Sequence, residues 1–248
     1  MTKEDRIAQK AGWTQNRVKR FYKTVTVAEA EGGHTVLLDG RTVKTPLKRA
    51  FAVPTPGLAD AIGGEWLAQD EYVVPGSMPL LKLANTAIDH AGDKFAAIVD
   101  EFVSFAGSDL LCYRAETPDG LVARQEALWD PLLTWAAREL GAGFVVTRGI
   151  VHQSQPEAVL TAIRTWADGR DRFSMTALQG VTALTGSAVL AMALMEEHMP
   201  AGQAWDAANV DEDWQIELWG RDEEAERVRA GRRREFEAAA QFLHLLKG

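Results

Sequence analysis

With 248 residues, 46% of them apolar and 25% charged, the chain is long and apolar enough to bury a proper core, which excludes wholesale disorder. The formal net charge of −8 argues against a nucleic-acid partner, which would call for a basic face, and suits a partner presenting basic patches. The single cysteine, Cys112, excludes an internal disulfide framework and a thiolate metal cluster, and its apolar run Leu110-Leu111-Cys112-Tyr113 reads as buried.

The amino terminus is basic over residues 10–23 and has no apolar segment after Lys3 or Arg6. Glu4 and Asp5 speak against an organellar transit peptide, so it reads as a short arm of a cytoplasmic protein. The first third is β-rich. Residues 22–27 alternate in the strand manner, and 35–38 and 41–44 flank Asp39-Gly40, the signature of a type I′ hairpin. A further strand is expected over 51–53, before Pro54. Thr55 then offers an N-cap and Pro56 an N1 residue for a helix running to about residue 69. Residues 72–79 hold Pro75, Gly76 and Pro79 and mark a domain boundary.

Helical periodicity dominates beyond that point, over 80–90, 93–106, 121–140, 156–167, 172–198 and, with breaks, 205–246. Asp130-Pro131 reads as a fresh cap that breaks the third of these, and 144–146 reads as a short strand. From 174 to 195 no residue is charged, a stretch long enough to span a bilayer. Thr176, Gln179, Thr182, Thr185 and Ser187 lower its hydrophobicity, so it reads as a core helix. The fold class is α+β: a small β-rich domain over 1–76 with one helix, then a larger, mainly helical domain over 77–248.

A search for chemistry returns little. No nucleophile elbow and no glycine-rich phosphate loop is present, and the five histidines form no ligand-spaced pair. The chain therefore reads as a non-enzyme without metal or cofactor. Between Asp206 and Glu226 there are nine acids and one base, Arg221, and five arginines follow from Arg227 to Arg234. A solvated helix with acids near its start explains the second half of this pattern. The acids Asp211, Glu212 and Asp213 sit beside Trp214 and Trp219, among eight tryptophans in all. Tryptophan and arginine beside polar groups are typical of binding surfaces, and Glu65-Trp66 with Gln69 and Arg124-Gln125 with Trp129-Asp130 form similar clusters.

These clusters carry a resemblance. Phe21-Tyr22-Lys23, Leu38-Asp39-Gly40-Arg41, Glu65-Trp66, Met78-Pro79-Leu80, Asp109-Leu110-Leu111-Cys112-Tyr113-Arg114, Arg124-Gln125, Trp129-Asp130-Pro131, Ala177-Leu178-Gln179-Gly180 and Trp214-Gln215-Ile216 occur in order along the chain. In that order and spacing the sequence resembles the F1-ATPase assembly chaperones that bind the alpha subunit, known in mitochondria and alphaproteobacteria. The resemblance implies a β-rich domain followed by a helical one, in agreement with the reading above. It implies a soluble monomer that holds the free alpha subunit of F1 ATP synthase until the beta subunit replaces it. It also implies no membrane insertion, and a place in the bacterial cytoplasm where eukaryotic relatives occupy the mitochondrial matrix. Asp211, Glu212 and Asp213 stand where relatives carry acids, and Glu65-Trp66 is a motif the family needs. The expected partner-binding residues are Asp211, Glu212, Asp213, Trp214, Gln215, Trp219, Glu65 and Trp66. Two other readings remain open, a binding module for another partner and a small-molecule hydrolase using carboxylates near Trp214.

Overall fold

Residues 18–149 and 151–248 are described by the computed structural model, so the amino-terminal arm lies outside the described residues as far as residue 17. The chain divides into two compact units, one ending at Lys82 and the other starting at Leu83. The architecture is α+β, with a small antiparallel sheet in the first unit and helices dominating the second.

In the first unit β1 (Val25–Ala30), β2 (Gly33–Leu38) and β3 (Arg41–Thr42) pair antiparallel in that order. The hairpin turn has φ of 48° at Asp39 and 77° at Gly40, both positive as a type I′ turn requires. The first strand starts at Val25 rather than residue 22, and Asp39 is the cause. Its carboxylate accepts the backbone N–H groups of Lys23 (3.0 Å) and Thr24 (2.8 Å), diverting donors that a longer ladder would use. The strand expected over 51–53 reduces to isolated bridges, Val53 with His34 and Ala50 with Lys44. A tight turn separates Lys44 from Ala50, with Lys48 at φ 65° and its N–H donating to the Thr45 carbonyl at 2.8 Å.

Thr55 is extended and its hydroxyl accepts the Leu58 N–H at 3.3 Å, opening α1 (Pro56–Leu67) with Pro56 in the first turn. Leu58, Ala59 and Ile62 are fully buried on the face that α1 lays against β1 and β2. Buried Gln69 then organises the connector. Its amide donates to the Glu65 carbonyl (2.9 Å) and accepts from the Val74 N–H (2.7 Å).

The division between units falls inside α2 (Pro79–Thr86). A π turn over Ala87–Ala91 joins α2 to α3 (Gly92–Gly107), so the two helices expected over 80–90 and 93–106 are continuous. Next, α4 (Asp119–Leu140) runs unbroken past Pro131, against the expected break. Proline deletes one ladder bond there, but buried Trp129, Leu132 and Trp135 tie the helix down on both sides. The Trp129 indole also donates to the Ala207 carbonyl at 2.8 Å.

No strand forms over 144–146, and the pairing falls on the next two residues instead. These are β5 (Thr147–Arg148), paired parallel with β4 (Tyr113–Arg114). Val145 is instead clamped by the Gln155 amide, which donates to its carbonyl and accepts its N–H, each at 2.8 Å. The chain continues through α5 (Glu157–Asp168), α6 (Arg172–Thr185), α7 (Ala188–Met195), α8 (Ala201–Ala208), α9 (Val210–Trp219) and α10 (Glu223–Leu245).

The charge-free stretch is therefore two helices rather than one. Gly186, at φ 70°, ends α6, and the Ser187 hydroxyl accepts the Leu190 N–H (3.0 Å) to start α7. Helix α6 packs against α3, α7 and α10, at the centre of the second unit. Its buried Thr176, Thr182 and Thr185 hydroxyls donate to carbonyls four residues back, so none is left unpaired in the core. Among the described residues no helix is long and apolar enough to cross a membrane.

Candidate partner-binding site

The acidic segment forms α9. Asp211, Glu212 and Asp213 fill its first turn, where the helix dipole favours negative charge. Four of its acids are held by side chains from α4 and α10. Asp211 accepts from the Gln125 amide at 2.6 Å, and Gln125, itself buried, accepts the Ala115 N–H at 2.8 Å. Glu217 takes both terminal nitrogens of Arg124, at 2.7 and 2.8 Å. Asp213 pairs with Arg229, and Glu212 lies 3.7 Å from Arg232. The acidic and basic runs that sequence separates thus meet across the interval between α9 and α10. The Arg124 fork holds the Glu217 carboxyl below the usual carboxylate range, and Glu217 in turn raises Arg124.

Trp214 is half-buried and has a mainly packing role. Its ring lies over Gly120 in the first turn of α4, and the Arg124 guanidinium sits 5.1 Å from its centre. Its buried Nε1–H has no partner among the described residues.

Beyond these anchors a stripe of α9 remains exposed, starting at Asp211. Asp211, Gln215, Leu218 and Trp219 follow at i, i+4, i+7 and i+8, which places them on one stripe, and all four are exposed. Leu218 is 57% exposed and Trp219 83%, and Val228 on α10 is 60% exposed. Large apolar side chains flanked by polar ones are the composition of an interface hot spot. Leu218 was missed by sequence reasoning, although its helical spacing from Asp211 carried the signal. Arg124 and Gln125, singled out as a motif, enter the site as the anchors of α9.

A groove of about 380 Å³ beside α9 is lined by Arg124, Leu128, Asp206, Asp213, Glu217 and Arg221, among others. It is the place where hydrolase chemistry would be sought. Two of its carboxylates, Asp213 and Glu217, are committed to arginines, and Glu217 is shifted away from the raised value a general acid needs. Among the described residues no group of three His, Cys, Asp or Glu side chains is placed to hold a metal ion.

Glu65 and Trp66 belong to the first unit. The Glu65 carboxylate accepts the N–H groups of Leu80 and Leu81, each at 2.8 Å, and so caps the start of α2. Desolvation pushes this carboxyl up, against the lowering effect of those two bonds. The Trp66 ring meets Tyr22 edge-on with centres 5.5 Å apart, and the Trp66 carbonyl accepts the Tyr22 hydroxyl at 2.6 Å. The Trp66 Nε1–H is buried without a partner among the described residues.

Comparisons with known proteins find relatives that cover most of the chain. The family model described as ATP12 chaperone protein matches residues 19–137. The crystal structure of Atp12 from Paracoccus denitrificans is 39% identical over 92% of this chain and 98% of that one, with a TM-score of 0.87. The Atu1473 protein of Agrobacterium tumefaciens is 45% identical over 92% of this chain and 86% of its own, with a TM-score of 0.88. The curated protein atp12, mitochondrial, of Schizosaccharomyces pombe is 24% identical in an alignment of 226 positions that covers 86% of this chain and 78% of that protein. With the family model spanning the β-rich unit and the helices through α4, and with solved relatives matching nearly the whole fold, the chain belongs to the ATP12 chaperone family.

Proposed function

We propose that this protein is an assembly chaperone of F1-type ATP synthase, and that its client is the free alpha subunit. It acts by binding, as a monomer in the bacterial cytoplasm, and not by catalysis. Membership of the ATP12 chaperone family supports the chaperone role, and the ordered motifs that resemble alpha-subunit chaperones support the client. The observation that carries the site is the stripe on α9, where Leu218 and Trp219 stand in solvent between Asp211, Gln215 and the paired acids. Burying these two side chains against a partner would together contribute at least about 2 kcal/mol. An unassembled subunit exposes a large apolar interface of the obligate type, which is prone to aggregation. The chaperone contact must cover that surface and still yield to the final partner, so a small apolar stripe rimmed by charge fits better than a large apolar face. In this reading Trp219, Leu218 and Gln215 touch the client, while Asp211, Glu212, Asp213 and Trp214 hold α9 in place. Glu65 and Trp66 order the first unit.

Light scattering of isolated alpha subunit on dilution from denaturant tests the function. An equimolar amount of the protein is expected to keep the subunit in solution, and added beta subunit to displace it. Aggregation at an unchanged rate would overturn the proposal.

A further inference from the structure

The first unit has a surface that the α9 contact leaves unused. Between residues 19 and 49 stand seven lysines and arginines against three acids, in a chain whose overall charge is −8. A groove of about 590 Å³ opens in this region, a volume within the range of peptide and ligand clefts. Arg41 and Lys44 line it, both exposed, and neither has an ion-pair partner among the described residues. Its one acid, Asp39, is already engaged by Lys23 and Thr24. Trp66 completes the wall of the groove. The lining thus offers cations and no spare carboxylate, so an occupant has to supply negative charge.

Two further features define the shape of that occupant. The Val43 N–H donates to the Val36 carbonyl at 3.0 Å, which makes Thr42 and Leu37 the non-hydrogen-bonded pair of the hairpin. The Thr42 N–H and C=O therefore point away from β2, towards an open sheet edge that an extended chain can extend. Phe21, 66% exposed and edge-on to Tyr22 with ring centres 5.3 Å apart, provides an apolar shelf at the same groove.

We infer that this groove docks an extended acidic peptide segment with an aromatic or aliphatic anchor, added along the β3 edge, its carboxylates meeting Arg41 and Lys44. The groove lies wholly within the first unit and does not depend on α9 or its client. The probe is a short fluorescein-labelled peptide alternating glutamate with phenylalanine and leucine, titrated by anisotropy against the full chain. A counterpart with lysine for glutamate serves as the control. The acidic peptide is expected to bind, more weakly as salt rises, and the lysine peptide is expected not to bind. Arg41→Glu with Lys44→Glu should weaken binding by about tenfold or more. Thr42→Pro, which removes an outward N–H and no ladder bond to β2, should weaken it with an unchanged circular dichroism spectrum. The Trp66 indole N–H resonance, assigned with Trp66→Phe, should move on titration. Equal affinity for both peptides, unchanged affinity in both variants, or binding of tripolyphosphate without binding of peptide would overturn the inference.

Discussion

Gly120 lies against the ring of Trp214 so closely that a Cβ at residue 120 would stand 2.7 Å from Cη2. The first turn of α4 is in this way the seat of α9, and the Arg124 guanidinium lies 5.1 Å from the ring centre. Gly120→Ala is expected to destabilise the protein by about 1–3 kcal/mol through overpacking, although alanine is the better helix former. Urea denaturation should show a lower midpoint at unchanged slope. An unchanged or raised midpoint would mean that Trp214 yields freely and is no anchor.

Glu65 offers a second test of a structural role. Removing its carboxylate leaves the Leu80 and Leu81 N–H groups without their acceptor at the start of α2. Glu65→Ala should cost about 1 kcal/mol, as other helix N-terminal caps do, with Glu65→Gln losing less. The same urea experiment reads both variants. No loss in Glu65→Ala would remove the cap from the account.

Asp109 sets a pH dependence. It is fully buried and accepts the N–H groups of Leu111 (3.1 Å) and Val189 (3.0 Å), tying the start of α7 to the segment before β4. Burial pushes its carboxyl from 3.8 up to about 6, outweighing those bonds. The folded state then holds more protons than the unfolded chain between about pH 4 and pH 6, so this contribution to stability falls as pH rises through that window and is level above it. Asp39 and Glu217, whose carboxyls are held low, act in the opposite sense and lose stabilisation on acidification. Asp109→Asn isolates the effect. The stability of the wild type minus that of the variant should decline from pH 4 to pH 6, and a rising difference would contradict it.

Cys112 is fully buried, and burial, with Asp109 nearby, pushes its thiol up to about 12. A chromogenic disulfide reagent at pH 8 should therefore find no reactive thiol in the native protein and one after denaturation. Rapid reaction in the native state would contradict the packing around β4.

The elements that sequence reasoning placed well are those encoded by adjacent residues. Asp39-Gly40 supplies both positive φ values of its turn, and Thr55-Pro56 supplies a cap and the first-turn proline. Gly186-Ser187 encodes a helix stop and start just as locally, and was hidden by the long apolar run around it. Pro131 misled for the converse reason, because its local penalty is outweighed by Trp129 and Trp135, whose burial depends on distant helices. The parallel pairing of β4 with β5 joins segments some thirty residues apart and leaves no mark on either strand. At the site, acids and tryptophans were visible in the sequence, but their division of labour was not. Asp211 meets Gln125 across 86 positions of sequence and Glu217 meets Arg124 across 93, so which face of α9 is tied down emerges only in three dimensions.

The affinity of the isolated F1 alpha subunit for the protein, measured by calorimetry with wild type and with Leu218→Ser/Trp219→Ala, tests the central claim most directly. Both side chains stand in solvent, so the variant should keep the fold and the stability of the wild type. Loss of two hot-spot anchors should weaken binding by about thirtyfold or more, the equivalent of about 2 kcal/mol. Binding of the alpha subunit by the folded variant at wild-type affinity would contradict the assignment of the α9 stripe.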